Sequence, residues 1–137
     1  PPDPQPHIPD GQRVLLFIHG HSSSAEEALT IIPHIHTAGL THGTKYSIIS
    51  LDLPNNGYSE SFPHTWVAPS SATTFPGGIF DHGPVRTPVI DFIEDFIVAF
   101  VDALDLITPT KDRFAGVFGG SLGGNMGLRL GRRNLAR

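Results

Sequence analysis

Arg113-Phe-Ala-Gly-Val-Phe-Gly-Gly-Ser-Leu-Gly-Gly124 is the stretch that decides the fold of this chain. A short apolar run leads into Gly119-Gly120-Ser121-Leu122-Gly123, the G-x-S-x-G pattern of a strand that turns sharply into a helix with serine at the apex. The apex backbone is strained, and the positions two residues to either side lie too close to their surroundings to carry side chains. Gly119 and Gly123 remove those clashes. The Ser121 hydroxyl then sits at a helix N-terminus, where backbone N–H groups favour developing negative charge. The same pattern arises by chance in glycine-rich loops, and the chain has 15 Gly. Context argues for the turn: a strand-like run precedes it, and residues 122–133 are compatible with a helix.

Working outward from this turn, two more apolar runs read as strands. Val14-Leu-Leu-Phe-Ile18 is five apolar residues bounded by polar and glycine positions, as in a strand buried on both faces. It ends in His19-Gly20-His21. Residues 46–53 form a second strand with Asp52 near its end, followed by the turn cluster Pro54-Asn55-Asn56-Gly57. The third strand covers about residues 113–118.

Helices separate these strands. Ser24 and Glu27 have capping-box spacing, so a helix starts near Ala25. Ala28, Ile31, Ile32 and Ile35 share one of its faces, Pro33 predicts a kink or break, and Gly39 is its expected stop. Thr87-Pro88 reads as an N-cap followed by proline at the first helical position, opening a helix over residues 88–107. Its acids, Asp91, Glu94, Asp95, Asp102 and Asp105, fall within an arc of about 100°, which predicts a solvated face. The broad apolar remainder predicts cover on more than one side. In the last helix, Arg129, Arg132 and Arg133 favour the C-terminal end of the macrodipole.

The order is therefore β-α-β-α-β-α, which implies an α/β fold with a parallel sheet, flanking helices and right-handed crossovers. Residues 1–12 carry proline at positions 1, 2, 4, 6 and 9 and read as an extended segment. Residues 60–87 are rich in Pro, Gly, Ser, Thr and aromatics without a sustained period, and read as a long loop or cap-like insertion. The whole of 1–137 reads as a single domain, and as an incomplete one. Ligand sites in such sheets lie beyond the strand C-termini. His19-Gly20-His21, Asp52 and Gly119–Ser121 would converge there.

Composition excludes several classes of function. The 137 residues are 39% hydrophobic and 16% charged, with a net charge of −4 and no dense basic block. That balance argues for a globular chain without a nucleic-acid partner. No apolar run reaches the length of a membrane span. The absence of Cys excludes disulfides and thiolate metal sites. With no signal-peptide pattern either, the compartment stays open, with a lean to the cytoplasm. His19-x-His21 and His34-x-His36 lack a third ligand at standard spacing, so no metal is expected. No phosphate-binding loop is present, and no cofactor is expected.

Taken together, Phe17-Ile-His-Gly-His21, Leu51-Asp-Leu-Pro-Asn-Asn-Gly-Tyr-Ser59 and Gly119-Gly-Ser-Leu-Gly123 resemble three successive landmarks of the α/β-hydrolase fold family, over about residues 13–133. The second landmark is commonly D-x-x-G-x-G-x-S. Asp52, Gly57 and Ser59 match it, while Asn55 stands where the family has its first glycine. The resemblance implies a sheet in which the three strands are neighbours, with the elbow strand beside the first strand. It also implies a serine hydrolase acting on a small-molecule ester or acyl substrate. Ser121 would be the nucleophile, with oxyanion-hole N–H groups from His21 and Leu122. His19 would hold the loop. Serine at the apex sets the chain apart from the haloalkane dehalogenase and epoxide hydrolase branches, which place Asp there. The family's acid and base follow the elbow in the order Ser…Asp/Glu…His, so both are expected outside this chain, which we expect to be a fragment. Substitutes within the chain would be Asp52, His64, Asp81 or His82. Phe62, Trp66, Phe75 and Phe80 would line an acyl pocket or anchor the 60–87 segment. Two alternatives stand beside the esterase reading. One is an acyltransferase like homoserine O-acetyltransferase. The other is an inactive fragment or a scaffold used for interaction.

Overall fold

The computed structural model describes residues 7–54, 56–59, 65–67, 79–82 and 85–133, the backbone alone for 65–67, 79–82 and 85–89. The proline-rich residues 1–6, Asn55, Phe62, His64 and Phe75 lie outside the described residues, as do the side chains of Trp66, Phe80, Asp81 and His82.

Three parallel strands form the main sheet in the order β2-β1-β6. They are β1 (Arg13–Ile18), β2 (Tyr46–Leu51) and β6 (Phe114–Gly119). The chain is of the α/β class, a parallel sheet with flanking helices. The five-residue apolar run occupies the central strand, where both faces are covered. Val14, Leu16, Phe17 and Ile18 are all buried there. Ile18 pairs in register with Leu51 on one side and Gly119 on the other. The residues that follow the three strands are therefore Asp52, His19 and Gly120, side by side at one sheet edge.

α2 (Val89–Ile107) and α3 (Leu122–Arg133) close the core. Leu16 and Ile18 join Ile93, Ile97 and Val101 of α2 and Met126 and Leu130 of α3 in one buried cluster. On β1 and β6, the rings of Phe17 and Phe118 pack with centroids 5.2 Å apart. The far end of α2 is not covered in the way its apolar circumference predicts. Leu106 is 90% exposed and Ile107 54% exposed among the described residues. No helix among the described residues is long and apolar enough to cross a membrane.

Of the kink or break expected near Pro33, the structure has the break, and the segment after β1 is two helices, not one. They are a 3-10 helix, Ala25–Thr30, and α1 (Ile32–Thr41), with Pro33 in the first turn of α1. The break falls at Ile31 because proline is tolerated only where no intrahelical N–H is needed. Gly39 does not stop α1. It is buried where a Cβ would lie 2.3 Å from the Thr44 carbonyl oxygen, and the reversal falls at Gly43, with φ +68°. The Ser24 side chain makes no cap hydrogen bond.

Within residues 60–87, where the sequence shows no period, short strands β3 (Thr65–Val67), β4 (Ile79–His82) and β5 (Val85–Pro88) pair antiparallel in a second sheet. Three or four residues per strand are too few to show a period of two. Pro88 closes β5, so the helix begins at Val89, one residue later than read.

The acid row on α2 is largely solvated, as expected, with Asp95 and Asp102 exposed and Glu94 alone of the five buried, but its members are also paired. Asp91 and Glu94 pair with Arg129, and Glu94 and Asp95 pair with Arg133. Asp102 pairs with Lys111. Asp105 accepts the N–H groups of Thr110 and Lys111 at 2.7 and 2.9 Å, which holds its carboxyl below the ordinary carboxylate range. The row binds α2 to α3 and to the turn before β6.

Candidate active site

The apex between β6 and α3 is built from close backbone approaches. Ser121 has φ +53°, in the left-handed region that a serine rarely adopts, and it is exposed. A Cβ at Gly119 would lie 2.1 Å from the Ile18 carbonyl oxygen, and one at Gly123 would lie 1.8 Å from the same atom. Both flanking glycines thus allow the elbow to press onto the central strand. The Asn125 N–H donates to the Ser121 carbonyl at 3.1 Å and the Gly123 N–H to the Gly120 carbonyl at 2.9 Å, fixing the first turn of α3.

The loop after β1 runs beside this apex. A Cβ at Gly20 would stand 3.6 Å from the Gly120 carbonyl oxygen and 3.6 Å from the Ser121 Cβ, in ordinary contact. The buried His19 holds the loop. Its Nε2 accepts the Leu53 N–H at 3.0 Å, which leaves the proton on Nδ1 to donate to the Gly20 carbonyl at 2.6 Å. The Ser23 N–H donates to the same carbonyl at 3.3 Å and closes a turn over residues 20–23 with Ser22 at φ +59°. Among the described residues, neither the His21 N–H nor the Leu122 N–H donates a hydrogen bond. Among the described residues, one unengaged backbone donor thus lies in the loop that runs beside Ser121 and another directly follows Ser121 in the chain.

Asp52 ties the end of β2 to this loop. Its carboxylate accepts the Ala25 N–H at 2.6 Å and the Tyr58 N–H at 2.8 Å. These two bonds, the Ala25 one foremost, hold its carboxyl below the ordinary carboxylate range. Gly57 permits the wrap, with φ +54° and a Cβ position only 2.2 Å from the carboxyl. The carboxylate thus does the capping work that the sequence assigns to Ser24. Glu27 is also reassigned. It takes the Ser23 hydroxyl at 2.7 Å and the Gly20 N–H at 3.4 Å. The spacing between Ser24 and Glu27 marks the helix start but carries no sign of this contact.

Ser121 Oγ has no hydrogen-bond partner among the described residues. Asp52, one of the substitutes considered within the chain, is engaged with backbone donors instead. Asp81 and His82 fall in β4, and their side chains lie outside the described set. Among the described residues, no three of His, Asp and Glu are grouped to hold a metal ion.

A groove of about 790 Å3 lies elsewhere, lined by Ile48 and Ile49 of β2, Ile32 and His36 of α1, and Phe100 and Leu104 of α2. It follows the free edge of β2 and does not include the apex. The apex, and not this groove, gathers strained backbone, free N–H donors and a hydroxyl. Compared with known proteins, the chain matches no family model, no curated protein and no solved structure.

Proposed function

We propose that Ser121 is the nucleophile of a serine hydrolase with a partial α/β-hydrolase fold, acting on an ester-like bond of a small molecule. The observation that carries this reading is the φ of +53° at Ser121, flanked by glycines that rest on the Ile18 carbonyl. A non-glycine residue held in that region at a strand–helix junction is costly and marks a site where side-chain placement is worth the strain. The sheet order β2-β1-β6, with the elbow strand beside the first strand, supports the same reading.

In this mechanism Ser121 Oγ attacks the ester carbonyl carbon and passes its proton to an imidazole. Negative charge develops on the carbonyl oxygen and is met by the His21 and Leu122 N–H groups. The alcohol leaves with that proton, giving an acyl-enzyme. Water then attacks the acyl carbon, and Ser121 is regenerated as the carboxylic acid departs. The imidazole and its carboxylate partner are expected beyond the described residues, after the elbow.

A fluorophosphonate probe applied to the full-length protein tests this reading. Labelling of wild type and none of Ser121→Ala is expected; equal labelling of both sinks it. Ester formation in the presence of an added alcohol would reassign the same serine to acyl transfer.

A further inference from the structure

The carboxylate of Glu27 lies where the proposed mechanism needs rigidity. It spans the turn that carries the His21 N–H, taking the Ser23 hydroxyl at 2.7 Å on one side and the Gly20 N–H at 3.4 Å on the other. The turn holds a non-glycine residue at positive φ, Ser22 at +59°, so it needs outside support to keep that shape. Glu27 is itself placed from the sheet. It sits on the 3-10 helix Ala25–Thr30, whose first N–H is fixed at 2.6 Å by the carboxylate of Asp52. The Ser50 hydroxyl adds a bond to the Ala25 carbonyl at 3.0 Å. A continuous chain of bonds therefore runs from the end of β2, through the 3-10 helix and Glu27, to the turn beside Ser121.

We propose that Glu27 is the positioning residue of the oxyanion hole, clamping both sides of the residue 20–23 turn so that the His21 N–H faces the carbonyl oxygen of the substrate. The proposal rests on the hydrolase reading of Ser121. Glu27 acts through the turn, not on the substrate. A side-chain carbonyl at position 27 can accept both bonds as well as a carboxylate can. It also carries no negative charge beside the developing oxyanion.

The test uses the full-length protein with two readouts, amide hydrogen exchange over residues 19–24 and the rate of Ser121 modification by a fluorophosphonate. Glu27→Ala should speed exchange in that turn while leaving the exchange of β1 and β6 unchanged. It should also slow Ser121 modification about tenfold, less than the roughly hundredfold that a 1 Å misplacement or the loss of a whole oxyanion donor can cost. Ser23→Ala, which removes only the shorter bond, should show the same pattern at smaller amplitude. Glu27→Gln should restore both readouts to near wild type. Unchanged exchange in Glu27→Ala overturns the clamp. Faster exchange with an unchanged modification rate overturns its positioning role. Wild type that is never modified at Ser121 overturns the hydrolase reading instead, while the exchange data still report on the clamp.

Discussion

Gly123 of α3 sits directly on the Ile18 carbonyl of β1: a Cβ there would lie 1.8 Å from the oxygen and 2.7 Å from the carbon. Both atoms belong to the backbone of the central strand, so no flexible side chain can move aside. Gly123→Ala should therefore cost about 3 kcal/mol or more, at the upper end of overpacking penalties. Gly131, later in the same helix, is the control. Nothing lies within 4 Å of its Cβ position. Gly131→Ala should stabilise by about 1 kcal/mol through helix propensity alone. Urea unfolding midpoints measure both, and a Gly123→Ala midpoint equal to wild type would show that the elbow does not press on β1 as described.

Asp52 predicts the shape of the acid limb of stability. Its folded carboxyl titrates below its ordinary value of 3.8 because the Ala25 and Tyr58 N–H groups stabilise the charged form. The folded state thus binds fewer protons than the unfolded one, and stability rises with pH in that range. The contribution is complete above about pH 4 and disappears as pH falls through the lowered value. Asp105, held down by Thr110 and Lys111, works in the same direction. Asp52→Asn keeps one acceptor but turns an N–H group toward a backbone donor, so it should cost about 1–3 kcal/mol at pH 7. The gap between mutant and wild type should narrow as the pH drops toward 3. Denaturant unfolding at a series of pH values reads it, and a gap independent of pH would remove Asp52 from the acid limb.

Glu94 is 5% exposed and faces Arg129 and Arg133 together. Removing Arg129 leaves a buried carboxylate with one remaining, more exposed partner. Arg129→Met should destabilise by about 3 kcal/mol, the lower end for breaking a buried pair. The double variant Glu94→Leu/Arg129→Met should recover most of that loss, because it is the orphaned charge, not the missing attraction, that is expensive. A double variant no more stable than Arg129→Met alone would show instead that the pair contributes net attraction.

These pairs also show where the sequence stops being legible. A helical projection of α2 reveals one polar stripe but not what stands opposite it. Arg129 and Arg133 are 35 to 39 residues away in the chain. The same limit applies to Ser24 and Glu27. Their local spacing marks the helix start, but the first N–H is claimed by Asp52, 27 residues downstream, and Glu27 is drawn to the preceding turn. Elements with strong local signatures were readable: the apolar run of β1, the glycine pattern at the elbow, and α3, whose bounds match the reading. The clustering of His19, Asp52 and Ser121 was readable too, because parallel strands bring consecutive strand ends to one edge. The hydrogen bonds among them were not, since each depends on a backbone group brought near by tertiary structure.

Ser121 itself offers a test that separates strain from chemistry. At φ +53° a residue with a Cβ costs about 1–2 kcal/mol relative to the right-handed region, and alanine suffers the same penalty as serine. Ser121→Ala should therefore leave stability near wild type while abolishing fluorophosphonate labelling. Ser121→Gly relieves the strain but adds freedom to the unfolded chain, so its net gain over Ser121→Ala should be about 1 kcal/mol. An inactive Ser121→Gly protein that unfolds at higher urea than wild type would mean that the native serine is kept at the apex against stability, as expected of a functional hydroxyl. A glycine variant less stable than the alanine variant would mean that the apex backbone is relaxed, and the argument from strain to catalysis would lose its footing.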